Sequence, residues 1–377
     1  MNKHDHFFKD SPKYILSLDG GGVRGVLSLA YLERIEAILR DCSDNPSTFR
    51  LSDHFSLIGG TSTGSIIASA LALGHTVSDI LDVYVGLASN TFGKKNLLGG
   101  IVTPKFAEGP LIESIRSRVG DVTLGGDEIK TGLGIIAKRL DTNSVWLFHN
   151  HPNGPYFENT SSDVTFTANK DIKLLNIVRA STAAPTYFDP EFISIAPGVE
   201  GTFVDGGVSP HNNPTLALFM LATIRGYGFR WPMGPEVLHF VSIGTGQVIP
   251  QSAGVILRRT AAAAVGISAI KSMMSDCESL VETMMQWMSI CHTPNSIDSE
   301  IGDLHTDLMG NMPTCHYARY NVQLDVEWLG EQLGHSIKQK DVTRLTKMDD
   351  PRVIPDLIAI GRVAAERQII PEALLLP

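Results

Sequence analysis

The pentapeptide Gly60-Thr61-Ser62-Thr63-Gly64 lies where a short apolar run ends and a helical pattern begins. Residues 55–58 have the composition of a buried strand, and residues 65–73 are the small and apolar residues of a helix. A serine at such a strand-to-helix elbow is held in a sharp turn that exposes its Oγ atom, and the flanking glycines leave room for the turn. An ordinary Gly/Ser/Thr-rich loop is the alternative, so Ser62 is a candidate nucleophile whose context has to be tested.

A second strand–turn–helix unit carries three consecutive glycines. Asp19 to Gly25 follow the apolar run at 14–18 and precede leucines and isoleucines at helical spacing. Backbone N–H groups of such a loop can approach a ligand closely and stabilise the negative oxygen of a tetrahedral intermediate. Arg24 would add a positive charge there. The candidate oxyanion loop comprises Gly20, Gly21, Gly22, Val23, Arg24 and Gly25.

The same loop also matches a dinucleotide-binding fingerprint, because Gly20, Gly22 and Gly25 have its spacing. That interpretation requires an acidic residue at the end of the next strand, where it would hold a ribose hydroxyl. The next predicted strand ends in Gly59-Gly60-Thr61-Ser62, which contains no acid. The sequence therefore disfavours dinucleotide binding at this loop.

A third segment, Asp205-Gly206-Gly207, follows the strand-like residues 202–204. An aspartate that closes a strand and precedes two glycines is sterically open and could face a neighbouring strand end. An Asp-Gly turn without function is common, so this segment alone would not identify a site. We take Asp205 as a candidate base, with Gly206 and Gly207 as supporting residues.

Together, the three segments resemble the patatin-like phospholipase family. The likeness extends to residues 179–188, 212–215 and 241–246, and it spans about Tyr14 to Gly246 in the family's order. It implies that Ser62 is the nucleophile, that Asp205 is its base, and that the Gly20–Gly25 loop is the oxyanion hole, with Gly60 and Gly64 shaping the elbow. It also implies a three-layer α/β fold with a mostly parallel central sheet flanked by helices.

A Ser-His-Asp triad is the nearest mechanistic alternative. The chain has twelve histidines, and His149, His151, His211 and His239 lie closest to the motifs or to predicted strand ends. Either His211 or His239 would satisfy the α/β-hydrolase order of serine, acid and histidine. The sequence cannot place any of them beside Ser62, so the triad stays open at this point.

Composition narrows the class of protein. The chain has 377 residues, 43% hydrophobic and 19% charged, so a large core is expected and extensive disorder is not. Its net charge is 31 − 40 = −9 without a basic block, which argues against nucleic-acid binding. The four cysteines have no metal-binding spacing, so we expect no metal. No signal peptide or apolar span of about 20 residues is evident, which predicts a cytoplasmic protein.

Periodicity predicts alternating strands and helices up to about residue 246, as in a parallel sheet covered by helices. We expect a mobile N-terminus (1–13), a catalytic domain (14–246) and a helical C-terminal region packed on it (247–377). Residues 91–108 and 150–163 are predicted loops. The methionine-rich stretch from Ala261 to Ile290 is either a core helix or, if exposed, a lid or lipid-facing element.

The functional expectation is an acyl-ester hydrolase that needs no cofactor and acts on phospholipids from the inner membrane surface. The length and the extra C-terminal region also resemble bacterial phospholipases switched on by cyclic dinucleotides in antiphage defence. That narrower likeness implies a cyclic dinucleotide as activator, and a homodimer is compatible with it. The alternatives are a constitutive lipase and a non-enzymatic binding protein on the same scaffold.

Overall fold

The computed structural model describes residues 2–92, 109–159, 165–248 and 262–375, which are arranged around one nine-stranded sheet. Its strands are β1 (Lys13–Leu18), β2 (Leu57–Thr61), β3 (Gly132–Arg139), β4 (Ser144–His149), β5 (Glu191–Ala196), β6 (Val199–Asp205), β7 (Leu238–Ile243), β8 (Ile290–Cys291) and β9 (His316–Tyr320). The described helices are α1 (Lys3–Phe8), α2 (Gly25–Asp41), α3 (Leu51–His54), α4 (Thr63–Ala72), α5 (Val77–Phe92), α6 (Gly109–Val119), α7 (Leu174–Thr182), α8 (Thr215–Thr223), α9 (Ala262–Met288), α10 (Val326–Leu333), α11 (Gln339–Leu345), α12 (Ile354–Gln368) and α13 (Pro371–Leu374).

The centre of the sheet is parallel, with the order β3-β2-β1-β7-β9-β8. The antiparallel strands β4, β5 and β6 extend it on the β3 side. Since parallel strands start at one edge and end at the opposite edge, β1, β2, β7 and β9 all finish on the same side of the molecule. The predicted mostly parallel α/β sheet is confirmed, and the elbow and the Gly-rich loop both lie at this edge.

Helices cover both faces of the sheet and make the fold three-layered. Alternate residues of β1 show the arrangement: Leu16 and Leu18 pack into the core cluster under α2, α4, α7 and α12, whereas Ile15 packs into the cluster under α8 and α9. Side chains of a strand point to opposite faces in turn, so a strand that is apolar at consecutive positions must be covered on both sides. All six residues of β7 are buried, as expected for such a central strand.

The N-terminal segment contains a helix that the sequence analysis did not predict. Residues 3–8 form α1 rather than a mobile tail, and Phe7 and His6 are buried. The ring of Phe7 packs against Phe229 and His151, and the Trp231 indole N–H donates to the Phe7 carbonyl oxygen at 3.1 Å. A polar hexapeptide looks mobile in sequence because its partners are distant along the chain: Trp231 lies 224 positions after Phe7.

The predicted boundary at residue 246 does not separate two bodies. Strand β9 lies beyond it and forms parallel pairs with β7, from His239↔His316 to Ile243↔Tyr320. Helix α12 packs against α2, and α9 packs against α8. The C-terminal region is therefore part of the central sheet and of both helical layers, and it is not purely helical.

Some predictions fall partly outside the described residues: most of the loop at 91–108, the last part of the loop at 150–163 and Ala261. In the described part of α9, Met285 and Met288 are buried while Met273 is exposed, so the methionines do not share one environment. Among the helices that the structure describes, none is both long enough and apolar enough to cross a bilayer.

Candidate active site

The elbow has a strained backbone at Ser62. This residue sits between β2 and α4 with φ 53° and ψ −124°, a region that residues with a side chain seldom adopt. The neighbouring chain is so close that a Cβ atom on Gly64 would lie 2.2 Å from the carbonyl oxygen of Leu18. Ser65 donates both its backbone N–H and its hydroxyl to the Ser62 carbonyl oxygen, at 2.9 and 2.6 Å. These contacts hold Ser62 in a backbone conformation that is unfavourable for a residue with a side chain.

The hydroxyl of Ser62 donates a hydrogen bond of 2.6 Å to Oδ2 of Asp205. The two residues are 143 positions apart, and β3 brings them together. Thr61 at the end of β2 is paired with Ile136, and Asp205 at the end of β6 is paired with Ala137. Since β4 occupies the other edge of β3, β2 and β6 share one edge and meet end to end. Ser62 and Asp205 therefore lie at the adjacent ends of strands β2 and β6.

Asp205 is buried, with 5% of its surface exposed, and among the described residues it has no ion-pair partner. Its Oδ1 atom accepts the backbone N–H of Gly207 at 2.7 Å. Burial raises the pKa of Asp205 to about 6, and the bonds from Ser62 and Gly207 moderate the rise. At neutral pH the carboxylate is mostly ionised and yet basic enough to take a proton from a hydroxyl group.

Most N–H groups of the Gly-rich loop are already used inside the protein. Gly20 donates to the Asn212 carbonyl oxygen at 3.2 Å, Gly21 to Thr63 Oγ1 at 3.1 Å, and Val23 to the Met348 carbonyl oxygen at 2.9 Å. Within the described part of the chain, the N–H of Gly22 has no such partner. Gly22 is thus the loop's available donor, a narrower assignment than the sequence allowed.

The conformation of Gly22 requires a glycine. Its φ is +59°, and a Cβ atom there would lie 2.3 Å from the carbonyl oxygen of Met348. The carbonyl oxygen of Gly22 accepts a short bond from the Tyr84 hydroxyl. On the other side of the loop, a Cβ atom on Gly20 would lie 3.0 Å from Cβ of Ser62. The loop therefore packs directly against the side chain of Ser62.

Arg24 is buried, and its Nε and Nη1 atoms have no hydrogen-bond partner among the described residues. Burial lowers the pKa of Arg24, whereas Glu278 and Asp19 raise it. The guanidinium group remains charged, because its ordinary pKa lies far above neutrality. Its charge contributes a positive potential beside the loop.

No described histidine forms a hydrogen bond with the hydroxyl of Ser62 or the carboxylate of Asp205. His239 stacks on Tyr14 and His316 at the beginning of the parallel strands, which is the edge opposite to Ser62. His149 and His151 pack among aromatic rings around Phe229. His211 is nearer, because its carbonyl oxygen accepts the Thr61 hydroxyl at 2.7 Å, but its ring is not bonded to the pair.

Several contributors had no assigned role in the sequence analysis. Ser181 accepts the Ser62 N–H at 2.9 Å and donates its hydroxyl to the Ile136 carbonyl oxygen at 2.7 Å, so it links the elbow to β3. Thr245 donates to the Gly20 carbonyl oxygen at 2.8 Å. Both lie in segments that carry the family likeness. Arg319, which binds Asp19, lies beyond those segments and had no sequence signal.

The comparisons with known proteins identify the family. A family profile described as "Patatin-like phospholipase" matches residues 16–219, which is more than half of the chain. A cGAMP-activated phospholipase of Escherichia coli (strain TW11681) is 30% identical over 241 residues, covering 63% of each protein. Patatin group M-3 of Solanum tuberosum is 28% identical over 220 residues, covering 55% of this chain and 53% of the relative. The chain thus spans between half and two thirds of the length of these relatives.

Similarity to solved structures is more distant. Human GIVD cytosolic phospholipase A2, in complex with methyl gamma-linolenyl fluorophosphonate, aligns with 99% of this chain and 59% of its own, with 11% identity and a TM-score of 0.48. VipD from Legionella pneumophila aligns with 93% of this chain and 67% of its own, with 13% identity and a TM-score of 0.36. Likeness at this level is too low to carry an assignment, which depends instead on the sequence match. On that match, the chain belongs to the patatin-like phospholipase family.

Proposed function

We propose that this protein is a serine acyl-ester hydrolase that releases fatty acids from membrane phospholipids with a Ser62–Asp205 dyad. The observation that carries the proposal is the 2.6 Å bond between the hydroxyl of Ser62, on a strained elbow, and a buried carboxylate that has no cationic partner among the described residues. A serine hydroxyl is a weak nucleophile, and a positioned base within hydrogen-bond reach is what activates it. Membership of the family directs the choice of substrate class to lipid acyl esters.

In the first half of the reaction, Ser62 Oγ attacks the acyl carbonyl carbon and its proton passes to Oδ2 of Asp205. Negative charge develops on the carbonyl oxygen, and we assign the available N–H of Gly22 as the loop donor that stabilises this charge. The positive end of α4, which begins directly after Ser62, adds to the stabilisation. Asp205 then returns the proton to the departing alcohol oxygen, which leaves an acyl group on Ser62.

In the second half, a water molecule replaces the departed alcohol. Asp205 accepts a proton from this water as its oxygen attacks the acyl carbon. The same N–H group faces the second tetrahedral oxyanion. When the intermediate collapses, the proton returns to Ser62 Oγ and the fatty acid is released. One carboxylate thus serves as base and acid in turn, which suits a pKa of about 6.

The test combines covalent labelling with turnover on phosphatidylcholine vesicles. A fluorophosphonate should label Ser62 of the wild-type protein, and Ser62→Ala should abolish both labelling and fatty-acid release. Ser336→Ala, which changes an exposed serine, is the matched control and should behave as wild type. Fatty-acid release by a folded Ser62→Ala protein would refute the serine mechanism. A labelled protein that releases no fatty acid from lipid vesicles or soluble esters, with and without cyclic dinucleotides, would favour the non-enzymatic alternative.

A second part of the proposal is that a cyclic dinucleotide activates the enzyme. It is supported by the relative described as a cGAMP-activated phospholipase, which is 30% identical. A ligand can activate only if it binds the competent state more tightly than the resting one. For a tenfold activation, the difference in binding free energy is about 1.4 kcal/mol.

This part is tested by calorimetry and vesicle hydrolysis across several cyclic dinucleotides, with linear dinucleotides of the same bases as controls. The expected result is saturable heat of binding together with faster phospholipid hydrolysis for at least one cyclic compound. If none of them binds and the rate stays unchanged, the protein is a constitutive lipase. That outcome would leave the dyad proposal intact, because fluorophosphonate labelling and the Ser62→Ala variant test the dyad separately from nucleotide binding.

A further inference from the structure

Arg319 lies on β9, in the C-terminal region, and its whole head group is engaged. The residue is 3% exposed. Its Nη1 and Nη2 atoms donate to the two carboxylate oxygens of Asp19 at 2.9 and 2.6 Å. Nη1 also donates to Ser242 Oγ at 2.8 Å, and Nε donates to Glu282 Oε1 at 3.2 Å. The side chain therefore connects β1, β7 and α9 at the edge of the sheet where the candidate site lies.

Asp19 directly precedes the three glycines of the oxyanion loop, so its position sets where the loop begins. Its backbone N–H donates to the Ile243 carbonyl oxygen at 3.1 Å. The remaining restraints on Gly20 are separate hydrogen bonds: its N–H donates to the Asn212 carbonyl oxygen at 3.2 Å, and its carbonyl oxygen accepts from Asn212 Nδ2 at 3.3 Å and from Thr245 Oγ1 at 2.8 Å. A two-pronged guanidinium–carboxylate pair fixes orientation as well as distance, which a single hydrogen bond does not. The Arg319 pair is therefore the most directional anchor of the loop.

The charges around this anchor give Arg319 a second role. Two guanidinium groups, Arg24 and Arg319, share a buried region with the carboxylates of Asp19, Glu278 and Glu282. Arg24 lies two positions after Gly22, and its Nε and Nη1 atoms have no hydrogen-bond partner among the described residues. The negative charge of Asp19 raises the pKa of Arg24. Without Arg319, the carboxylate of Asp19 would be left with Arg24 as its nearby cation among the described residues. Asp19 would then be drawn towards Arg24, which would bend the glycines between them.

The structure assigns Arg319 as a positioning residue that acts through Asp19 to hold the loop that carries the N–H of Gly22, the proposed oxyanion donor. This inference rests on the proposed function, because it assumes that the loop stabilises an oxyanion. It also gives the C-terminal region a direct part in the chemistry, although that region lies outside the matched segment 16–219. Arg319 forms no hydrogen bond with Ser62, so it acts through the position of Asp19 and the loop.

The central variant is Arg319→Lys, which keeps the charge but cannot bind both oxygens of Asp19. Arg362→Lys is the matched control: Arg362 also binds both oxygens of a carboxylate, Glu33 on α2, at 2.8 and 2.9 Å, but on the surface. Active sites are counted by fluorophosphonate labelling to completion, and kcat is expressed per labelled site. We expect Arg319→Lys to lower kcat per site by about 10- to 100-fold, the scale for a misplaced catalytic group.

In the same variant, KM should stay within about twofold of wild type, since only the transition state uses the oxyanion donor. The rate of labelling should fall together with kcat per site. Arg362→Lys should match wild type in both. If Arg319→Lys labels a smaller fraction of molecules but keeps kcat per site and the labelling rate, Arg319 is merely structural and the inference is overturned.

A double variant covers the case in which Arg319→Lys does not fold. Asp19→Asn with Arg319→Gln removes both buried charges and leaves groups that can hydrogen-bond to each other. If Arg319 acts only through its ion pair with Asp19, the kcat per site of the double variant should fall no further than that of Asp19→Asn alone. Losses that multiply would overturn the link through Asp19. If Ser62 of wild type is not labelled at all, the proposed function fails first, which distinguishes the two failures.

Discussion

Two segments of this chain have the same local sequence and opposite surroundings. Asp19-Gly20-Gly21 and Asp205-Gly206-Gly207 each follow a strand, and both aspartates are buried, with 4% and 5% exposed. Asp19 is bound on both oxygens by Arg319. From the described residues, the carboxylate of Asp205 receives a serine hydroxyl and a backbone N–H but no cation. The same tripeptide thus serves once as an ion-paired anchor and once as a candidate base.

The difference follows from the partner of each carboxylate: Asp19 is bound by a guanidinium cation, whereas Asp205 accepts a hydrogen bond from a serine hydroxyl. Burial raises the pKa of both aspartates. At Asp19 the guanidinium group of Arg319 opposes the rise, which still reaches about 7 for the pKa, and it binds both carboxylate oxygens, so neither oxygen is free to face a nucleophile. At Asp205 no cation of the described chain does so, and the carboxylate is free to exchange protons with Ser62. A catalytic base requires a carboxylate oxygen that can accept a proton, whereas the anchoring role of Asp19 depends on oxygens that are bound by Arg319.

The largest expected effect is the contrast in activity between Asp205→Asn and Asp19→Asn. Asp205→Asn removes the proposed base, so kcat should fall by roughly 10³-fold or more. The kcat of Ser62→Ala should fall at least as far. Asp19→Asn disturbs only the loop and should cost about 10- to 100-fold. The measurement is fatty-acid release per folded molecule.

Three results would break the contrast. The Ser62→Ala/Asp205→Asn double variant should lose no more than the worse single variant, since nucleophile and base act as one unit. A loss equal to the product of the two single losses would argue against a dyad. Equal losses from Asp19→Asn and Asp205→Asn would remove the distinction between anchor and base. Loss of activity in a folded His211→Ala protein, down to the Ser62→Ala level, would restore the histidine triad.

At neutral pH, Asp19→Asn and Asp205→Asn should change the free energy of unfolding in opposite directions. Asp19→Asn leaves the buried Arg319 with a weaker counter-charge and should lower the free energy of unfolding by about 3 kcal/mol or more. Asp205→Asn removes a buried carboxylate whose folded pKa, about 6, exceeds its unfolded value of about 3.9. Such a group contributes stability below about pH 4, and that stability is lost as the pH rises through about 6.

At pH 7.5 the asparagine variant of Asp205 should therefore be more stable than wild type, by about 2 to 3 kcal/mol at most, at about 1.4 kcal/mol per pKa unit. Urea unfolding at about pH 4 and pH 7.5 measures both effects. The gain from Asp205→Asn should disappear at the lower pH. Destabilisation by Asp205→Asn at pH 7.5 would show that Asp205 is a structural anchor like Asp19.

Gly22→Ala should lower kcat by roughly 100-fold, the scale for a lost oxyanion donor. The added Cβ would meet the carbonyl oxygen of Met348, and the backbone conformation would be strained. Gly86→Ala on α5 is the control, because its Cβ would meet open space. That variant should keep full activity and gain up to about 1 kcal/mol of stability. Normal turnover and labelling by Gly22→Ala would exclude this N–H from the mechanism.

The smallest effect is the pH dependence of the wild-type enzyme. Because Asp205 must be ionised to accept a proton, kcat/KM should rise with pH through about 6 and then level off. At pH 5 the rate should be about tenfold below the plateau. A soluble ester measured at constant ionic strength avoids effects of pH on vesicles. A flat profile between pH 5 and 8 would indicate that another group, or none, is the base.

Much of the fold and part of the site were predictable because their causes are local. Strand–turn–helix units around Ser62 and around the three glycines follow from apolar periodicity and from backbone freedom over about ten residues each. The parallel sheet follows from their repetition. The helix at residues 3–8 was not predicted, because Phe7 contacts Phe229 and Trp231, which are distant along the chain. The pairing of β9 with β7 across residue 246 was not predicted either, because β7 ends at Ile243 and β9 begins only at His316, which is 316 − 243 = 73 positions later.

The sequence by itself determined the chemical groups: a serine on an elbow, a loop of glycines and two aspartates that each close a strand. Only the tertiary structure decided which aspartate faces Ser62. That choice depends on β3, which aligns the ends of β2 and β6, and on Arg319, which lies 300 positions from the Asp19 that it binds. Hydrogen bonds and ion pairs act over a few ångströms of space whatever the separation along the chain, so a local pattern cannot reveal them.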